Sequence, residues 1–422
     1  MTVAGEPAQA PPAPSAAGPG PGLGTAPTMA DAATPAADVP PATITATPAA
    51  AAPPPTTTAT PAESGRRRLS YIPELDGIRG LALLIVVVHH LGVLMWADKP
   101  SWFFPGGQVG LDVFFALSGF LITVMLLGEH DRTGGLRIGG FLWRRLLRLM
   151  PALIVFMAGL TLAALVTDRY TPRQMLSTSA WVLTFATNIG VDKVIVEVGH
   201  TWSLGVEAHF YLLWGLVVAG VVAVVKRPHV WLAATAAAVI VAVFVARATM
   251  FTDDGGVTAF DMYVDTLYRI DAPLVGALAG VAWAAGWLNK VPPKLAGWAA
   301  ALSLAGVALF TEKTTPLSPI LYRGLFTVVA ACGAVLVVAV QLSGPSRTRR
   351  LLALRPLVVT GMISYSIYLW HLPVMMVLDR NATAWPLAVR MAVAIVATGV
   401  LGALSYQFVE RPFLRRKAKA AA

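Results

Sequence analysis

Charge is what this sequence has least of. Only 13% of its 422 residues are Asp, Glu, Lys or Arg, against roughly 25% in soluble domains, while 56% are hydrophobic and the mean hydropathy is +0.67. That balance excludes an ordinary water-soluble fold and points to an all-α, polytopic integral membrane protein. Cysteine is almost missing. Cys332 stands alone in an apolar run, so neither an intramolecular disulfide nor a multi-cysteine metal site can form, and it reads as core packing. No metal-ligand cluster is expected from the remaining motifs. There is also no internal repeat relating the two halves of the chain.

Basic and aromatic residues are missing from residues 1–65, an Ala/Pro/Thr/Gly-rich stretch with four acids and no Lys or Arg. It cannot bury enough apolar surface to fold and is expected to be a disordered tail, without the basic start and apolar core of a signal peptide. Its "GPGLG" has no preceding strand or following helix and is discarded as a phosphate loop. Residues 66–422 form the expected membrane domain, with 32 bases and 18 acids. In a soluble chain that excess would suggest nucleic acid; here the distribution of the charges argues against it.

Apolar runs of near twenty residues fall at about 73–95, 108–128, 149–167, 203–225, 229–249, 265–288, 295–311, 318–342, 357–378 and 384–409, which predicts ten transmembrane helices. Basic clusters alternate between them: Arg66–Arg68, Arg144/Arg145/Arg148, Lys226/Arg227, Lys290/Lys294, Arg347/Arg349/Arg350/Arg355, and Arg411 with Arg415, Arg416, Lys417 and Lys419. All fall on one side if residues 168–202 form a single outer loop, so "MLSTSAWVLTFATNIG" at 175–190 is expected to dip into the membrane or lie on it. The expectation is a multi-pass protein of the plasma (inner) membrane with both termini cytoplasmic.

The polar residues inside the spans carry the functional signal, because ionisable groups at bilayer depth are costly. In "LDGIRGLALLIVVVHHLG", eleven residues turn a helix about 20° past three full turns, so Arg79 and His90 share a face roughly 16 Å apart, with His89 about 100° away. Snorkelling of Arg79 and simple packing of His90 would explain the same residues. In "GHTWSLGVEAHFYLLW", His200, Ser203, Glu207 and Tyr211 line one face if helical, and His371 in "SYSIYLWHLP" reaches a comparable depth, about 21 Å up the ninth span. A His–carboxylate pair suits deprotonation of a hydroxyl; a structural ion-pair network is the alternative. Arg145 and Arg148, at i and i+3, suit an anionic ligand such as a nucleotide phosphate, although topology alone places bases there. The distance from these arginines to His90 suits an extended phosphopantetheine arm. Asp265 and Arg269 in "TLYRIDAPLVG" are expected to form a helix-locking salt bridge, with Arg269 and Asp271 as minor candidates for acceptor contact. Glu410 and Arg411 in "FVERPF" read as an interfacial anchor.

Seven ordered stretches, "LDGIRGLALLIVVVHH", "GQVGLDVFFALSGFLI", "RRLLRLMP", "HTWSLGVEAHFYL", "YRIDAPLVGAL", "ISYSIYLWHLP" and "FVERPF", resemble the acyltransferase-3 family of integral membrane O-acyltransferases over nearly all of residues 71–416. The resemblance implies about ten spans and transfer of an acyl group, often acetyl, from cytosolic acyl-CoA to a hydroxyl of a carbohydrate, glycolipid or secondary metabolite. It implies His90 as base or transient acyl carrier, Glu207 as its partner carboxylate, and Arg79, Arg145 and Arg148 as acyl-CoA contacts. His200, Ser203, Arg269, Asp271 and His371 remain candidates for acceptor or supporting roles. The small residues of Ser118–Phe120 would allow close helix approach. Some relatives append an extracytoplasmic SGNH-type domain. Its absence after Pro412 leads to the expectation of direct delivery or a separate extracytoplasmic partner.

Acyl-CoA is thus expected as a donor substrate, with no permanently bound cofactor. Soluble acyltransferase signatures are missing, since Met95 stands five residues after His90 and no HHxxxDG block occurs. The rival reading is a proton-coupled transporter or flippase, whose usual paired, broken repeat helices are not found.

Overall fold

The computed structural model describes residues 71–95, 104–251, 258–316 and 318–415. The Ala/Pro/Thr tail, Arg66–Arg68, Arg416, Lys417 and Lys419 lie outside the described residues. The described chain is helical, without a strand. In order come α1 (Pro73–Met95), α2 (Val109–Thr133), α3 (Ile138–Val166), α4 (Pro172–Leu183), α5 (Trp202–Val224), α6 (Pro228–Met250), α7 (Ala259–Val264), α8 (Thr266–Arg269), α9 (Asp271–Ala284), α10 (Pro293–Lys313), α11 (Phe326–Leu342), α12 (Arg347–Leu352), α13 (Arg355–Met362), α14 (Ser364–Asn381) and α15 (Leu387–Ser405).

Eight helical segments among the described residues are long and apolar enough to cross a membrane, and a ninth if α13 and α14 count as one span bent by 80°. The expected sixth span, 265–288, is broken instead into α8 and the 14-residue α9, with the short α7 ahead of it. At 1.5 Å per residue α9 is about 21 Å long, short of a hydrocarbon core of about 30 Å. The breaks have local causes. Asp265 leaves helical geometry and accepts the Leu267 backbone N–H at 2.8 Å, capping α8. Segment 175–190 holds no helix long and apolar enough to cross a membrane. Helix α4 starts in a Thr171–Gln174 capping box with Pro172 in its first turn and ends after twelve residues. The chain then turns through Phe185, at φ 57°, and buries Thr187 and Asn188. Asn188 donates to Thr266 at 2.8 Å.

Lipid gives helices no hydrophobic reason to associate, so close packing through small residues has to do so. A Cβ on Gly119 of α2 would lie 1.8 Å from the Pro273 carbonyl oxygen of α9, and one on Gly276 would lie 1.8 Å from the Ala116 oxygen. The two backbones therefore touch, as the small residues of Ser118–Phe120 suggested. Gly361 of α13 meets the Asp76 carbonyl of α1 in the same way, also at 1.8 Å.

Two fully buried ion pairs tie this core together, with partners other than those expected. Arg269 pairs with Asp112 of α2 at 2.7 Å, not with Asp265, and its guanidinium lies 3.8 Å from the Phe326 ring centre. Asp265 is instead the α8 cap, because the chain leaves helical geometry between it and Arg269. Asp271 takes a two-pronged pair from Arg247 of α6, at 2.8 and 3.1 Å, and a hydrogen bond from Thr327 at 2.5 Å. Glu410 is no interfacial anchor: it is buried and accepts from Ser366, while Arg411 donates to Gln407 at 2.6 Å.

Replacing Gly276 with Leu is expected to separate α2 from α9 and abolish the monodisperse folded peak of detergent-solubilised protein; a normal peak would contradict the backbone contact. Asp112→Ala strands a buried guanidinium and is expected to cost about 3–5 kcal/mol, whereas Asp112→Leu with Arg269→Met recovers most of it. Thermal unfolding in detergent measures both, and equal loss in the single and double variants would contradict the pairing.

Candidate active site

A cavity runs through the helical core between α1, α2, α3, α5 and α14. On α1 its wall is the stripe Arg79, Ala82, Leu83 and Val86, spaced by three, one and three residues so that all four fall on one helix face. The next residue on that stripe, His90, stands one turn beyond the lined section.

One end is rich in arginine. Arg79, Arg145 and Arg148 all line the cavity. Arg79 donates to Asp76 at 3.1 Å, and the neighbouring Arg144 turns away to Glu129 of α2 at 3.1 Å. Arg145 pairs with no carboxylate among the described residues. Its guanidinium donates to the Met125 sulfur at 3.2 Å and lies 5.6 and 5.3 Å from the Phe141 and Tyr211 ring centres. Arg148 makes neither an ion pair nor a hydrogen bond among the described residues. Three guanidinium groups thus share one carboxylate partner, which leaves positive charge for an anion.

The middle of the cavity is polar. Glu207 accepts from Ser118 at 2.6 Å and, through the same oxygen, from the Tyr211 hydroxyl; the two hydroxyls lie 3.1 Å apart. The hydrogen bonds of Glu207 among the described residues therefore run to hydroxyls. The structure does not join it to His90, whose ring follows the α1 stripe toward α14.

At the far end Ser203 donates to the Tyr368 hydroxyl at 2.7 Å, which donates in turn to the His200 carbonyl at 2.6 Å. Behind Tyr368 three imidazoles meet. The His90 and His371 ring centres are 5.1 Å apart, with His371 Nε2 3.4 Å from His90 Nδ1, and the His200 ring lies 5.1 Å from His371 on another side. His89 faces elsewhere and bonds the Phe104 carbonyl at 3.0 Å, as its angular offset implied. The turn that carries His200 is fixed by Glu197, which accepts from Arg380 at 2.5 Å and Tyr170 at 2.8 Å and pairs with Arg169 at 3.3 Å.

Of the residues singled out in the sequence, Arg79, Arg145, Arg148, Ser203 and Glu207 line one cavity, and His90, His200 and His371 cluster at its end. His200 lies in a turn of 3₁₀ helix ahead of α5, so it leaves the face shared by Ser203, Glu207 and Tyr211. Arg269 and Asp271 do not join the cavity, being held in the two ion pairs described above. Tyr368 was missed, although it stands three residues before His371 and so shares its side of α14. Ser118 was read for its size alone, and its hydrogen bond to Glu207 came from α2 meeting α5.

A family model described as an acyltransferase domain matches residues 72–406. Among curated proteins, YrhL of Bacillus subtilis is 30% identical over 366 residues, covering 81% of this chain and 55% of that protein. The peptidoglycan O-acetyltransferase OatA of Listeria monocytogenes is 27% identical over 362 residues, covering 81% and 56% respectively. The O-acetyltransferase OatA of Staphylococcus aureus is 26% identical over 367 residues, covering 83% and 58%. The chain therefore spans a little over half the length of these relatives. No solved structure matches it. With five of its seven ordered motifs on the helices that build the cavity, and a family match over most of its length, the chain belongs to the acyltransferase-3 family.

Proposed function

We propose that this protein is a membrane O-acyltransferase that moves an acyl group, acetyl foremost, from cytosolic acyl-CoA to a hydroxyl of a carbohydrate acceptor. One observation carries the reading: a single cavity joins two guanidinium groups, without carboxylate partners among the described residues, to the buried hydroxyls of Ser118, Ser203 and Tyr368, and the imidazoles of His371 and His200 pack against Tyr368. The names of the Listeria and Staphylococcus relatives, both O-acetyltransferases and one of them acting on peptidoglycan, support acetyl as the group and a glycan as the acceptor. The alternating basic clusters support a plasma-membrane protein with the arginine end of the cavity on the cytoplasmic side.

In this reading Arg145 and Arg148, with Arg79, hold phosphate oxygens of the donor, for which forked N–H donors are suited. The pantetheine arm follows the α1 stripe past Glu207, which holds the Ser118 and Tyr211 hydroxyls in place along the path. His90 removes the proton of the acceptor hydroxyl as its oxygen attacks the thioester carbonyl carbon. The C–S bond breaks and the CoA thiolate takes the proton back from the imidazolium, so the products are the ester and the free thiol. Glu207 acts on the donor path and is not the direct partner of His90.

Membranes containing the protein and supplied with radiolabelled acetyl-CoA are expected to label glycan, and His90→Ala to abolish the labelling. Undiminished labelling in the variant would remove His90 from the reaction, and no wild-type labelling with any acyl-CoA would favour a transporter. Arg145→Ala and Arg148→Ala each remove a charge-assisted contact of about 1.5–3 kcal/mol, so the KM for acetyl-CoA is expected to rise about tenfold or more; unchanged KM values would place the donor elsewhere. Tyr211→Phe leaves Glu207 with one donor fewer, and thermal unfolding is expected to show a loss of about 1–3 kcal/mol.

A further inference from the structure

His90 and His371 sit side by side, and their backbone contacts determine which nitrogen of each ring carries the proton. His371 Nδ1 lies 2.6 Å from the Tyr368 carbonyl oxygen. A carbonyl only accepts, so this nitrogen carries the hydrogen. His371 is fully buried and no carboxylate among the described residues bonds it, so a second proton would place an unpaired charge inside the membrane core. The ring is therefore neutral and its Nε2 is a lone pair. That lone pair faces His90 Nδ1 at 3.4 Å, and the same His90 nitrogen lies 3.0 Å from the Val86 carbonyl. Two acceptors converge on one nitrogen, which must be the protonated one. His200, on another side of His371, meets it ring to ring at 5.1 Å and makes no hydrogen bond to it.

We propose that His371 is a positioning residue that, together with the Val86 carbonyl, holds His90 in its Nδ1–H tautomer and leaves His90 Nε2 as the basic nitrogen. The proposal rests on the reading of His90 as the base. With the opposite tautomer the lone pair would point at the Val86 carbonyl and at His371, where no substrate hydroxyl can be. The arrangement also works after proton uptake: the imidazolium keeps Nδ1–H between two acceptors while Nε2–H faces the thiolate that must be protonated. The familiar carboxylate in this position is replaced by a neutral imidazole, itself oriented by the Tyr368 carbonyl. Tyr368 is held by Ser203 and the His200 carbonyl, so the tautomer of His90 is fixed by a chain reaching from α5 through α14 to α1.

The test combines spectroscopy with kinetics on the full chain in lipid. Nitrogen-15 spectra of histidine-labelled protein, with His90 assigned by its loss in His90→Gln, are expected to show a protonated Nδ1 and an unprotonated Nε2 for His90. In His371→Leu the Val86 carbonyl is the acceptor left at Nδ1, and the Nδ1 signal is expected to shift while the Nε2–H tautomer appears as a minor population. With acetyl-CoA as donor, His371→Leu is expected to lower kcat about 100-fold with KM changed less than about twofold. His371→Gln, whose side-chain oxygen can accept from His90 Nδ1, is expected to recover at least a tenth of the wild-type kcat. A wild-type His90 protonated at Nε2, an unaffected kcat in His371→Leu, or a glutamine variant no better than the leucine variant would each overturn the proposal. Full activity in His90→Ala would overturn the assignment of the base, and the wild-type tautomer spectrum would still decide whether His371 orders His90.

Discussion

The contact between the backbones of α2 and α9 is the constraint on which the rest of the core depends. Gly119 and Gly276 let each helix place a carbonyl where the other would need a side chain. In hydrocarbon such contacts have to supply what the hydrophobic effect supplies in water. Once α2 is held there, its other faces are committed. Ser118, one residue before Gly119, turns to Glu207 of α5, and Thr123 receives the Trp214 indole at 2.8 Å. Asp112, two turns nearer the start of α2, meets Arg269. A single helix thus fixes the cavity wall on one side and neutralises a buried cation on the other.

The charges divide into two groups by this geometry. Arg247 and Arg269 are fully buried and each is paired with an aspartate, because an isolated charge at that depth would be costly. Arg145 and Arg148, which line the cavity, lack such partners among the described residues. Their positive charge is tolerable because the cavity gives them access to a polar occupant, and it is useful for the same reason. Arg79 lies between the two groups, paired with Asp76 yet still part of the cavity wall.

The histidine end follows a different chemistry. No carboxylate bonds His90, His200 or His371 among the described residues; backbone carbonyls of α1 and α14 orient the His90 and His371 rings, and the His200 carbonyl in the turn before α5 holds the Tyr368 hydroxyl. Carbonyls accept without carrying full charge, and this allows imidazoles and hydroxyls to be packed together in a buried region. The turn bearing His200 needs its own anchor, and the ionic group around Glu197 ties it to Arg380 near the end of α14.

Much of this was legible in the sequence. Hydropathy and charge alternation depend only on local composition and the thickness of a bilayer, so the membrane class and the lack of a spanning helix at 175–190 could be read directly. Helical periodicity joined Arg79 to the stripe leading to His90, and joined Ser203 to Glu207 and Tyr211, because those residues share one helix. The choice of partners between helices could not be read in this way. Asp265 stands at the right spacing for Arg269, but a break in the backbone turns it into a cap and gives Arg269 to Asp112, 157 residues away in sequence. Glu207 has the chemistry to serve a histidine, and the approach of α2 gave it Ser118 instead. Spacing along one helix fixes direction to within a few degrees. The rotation and depth of one helix against another are set by which small residues touch, and that is decided only when the whole bundle packs.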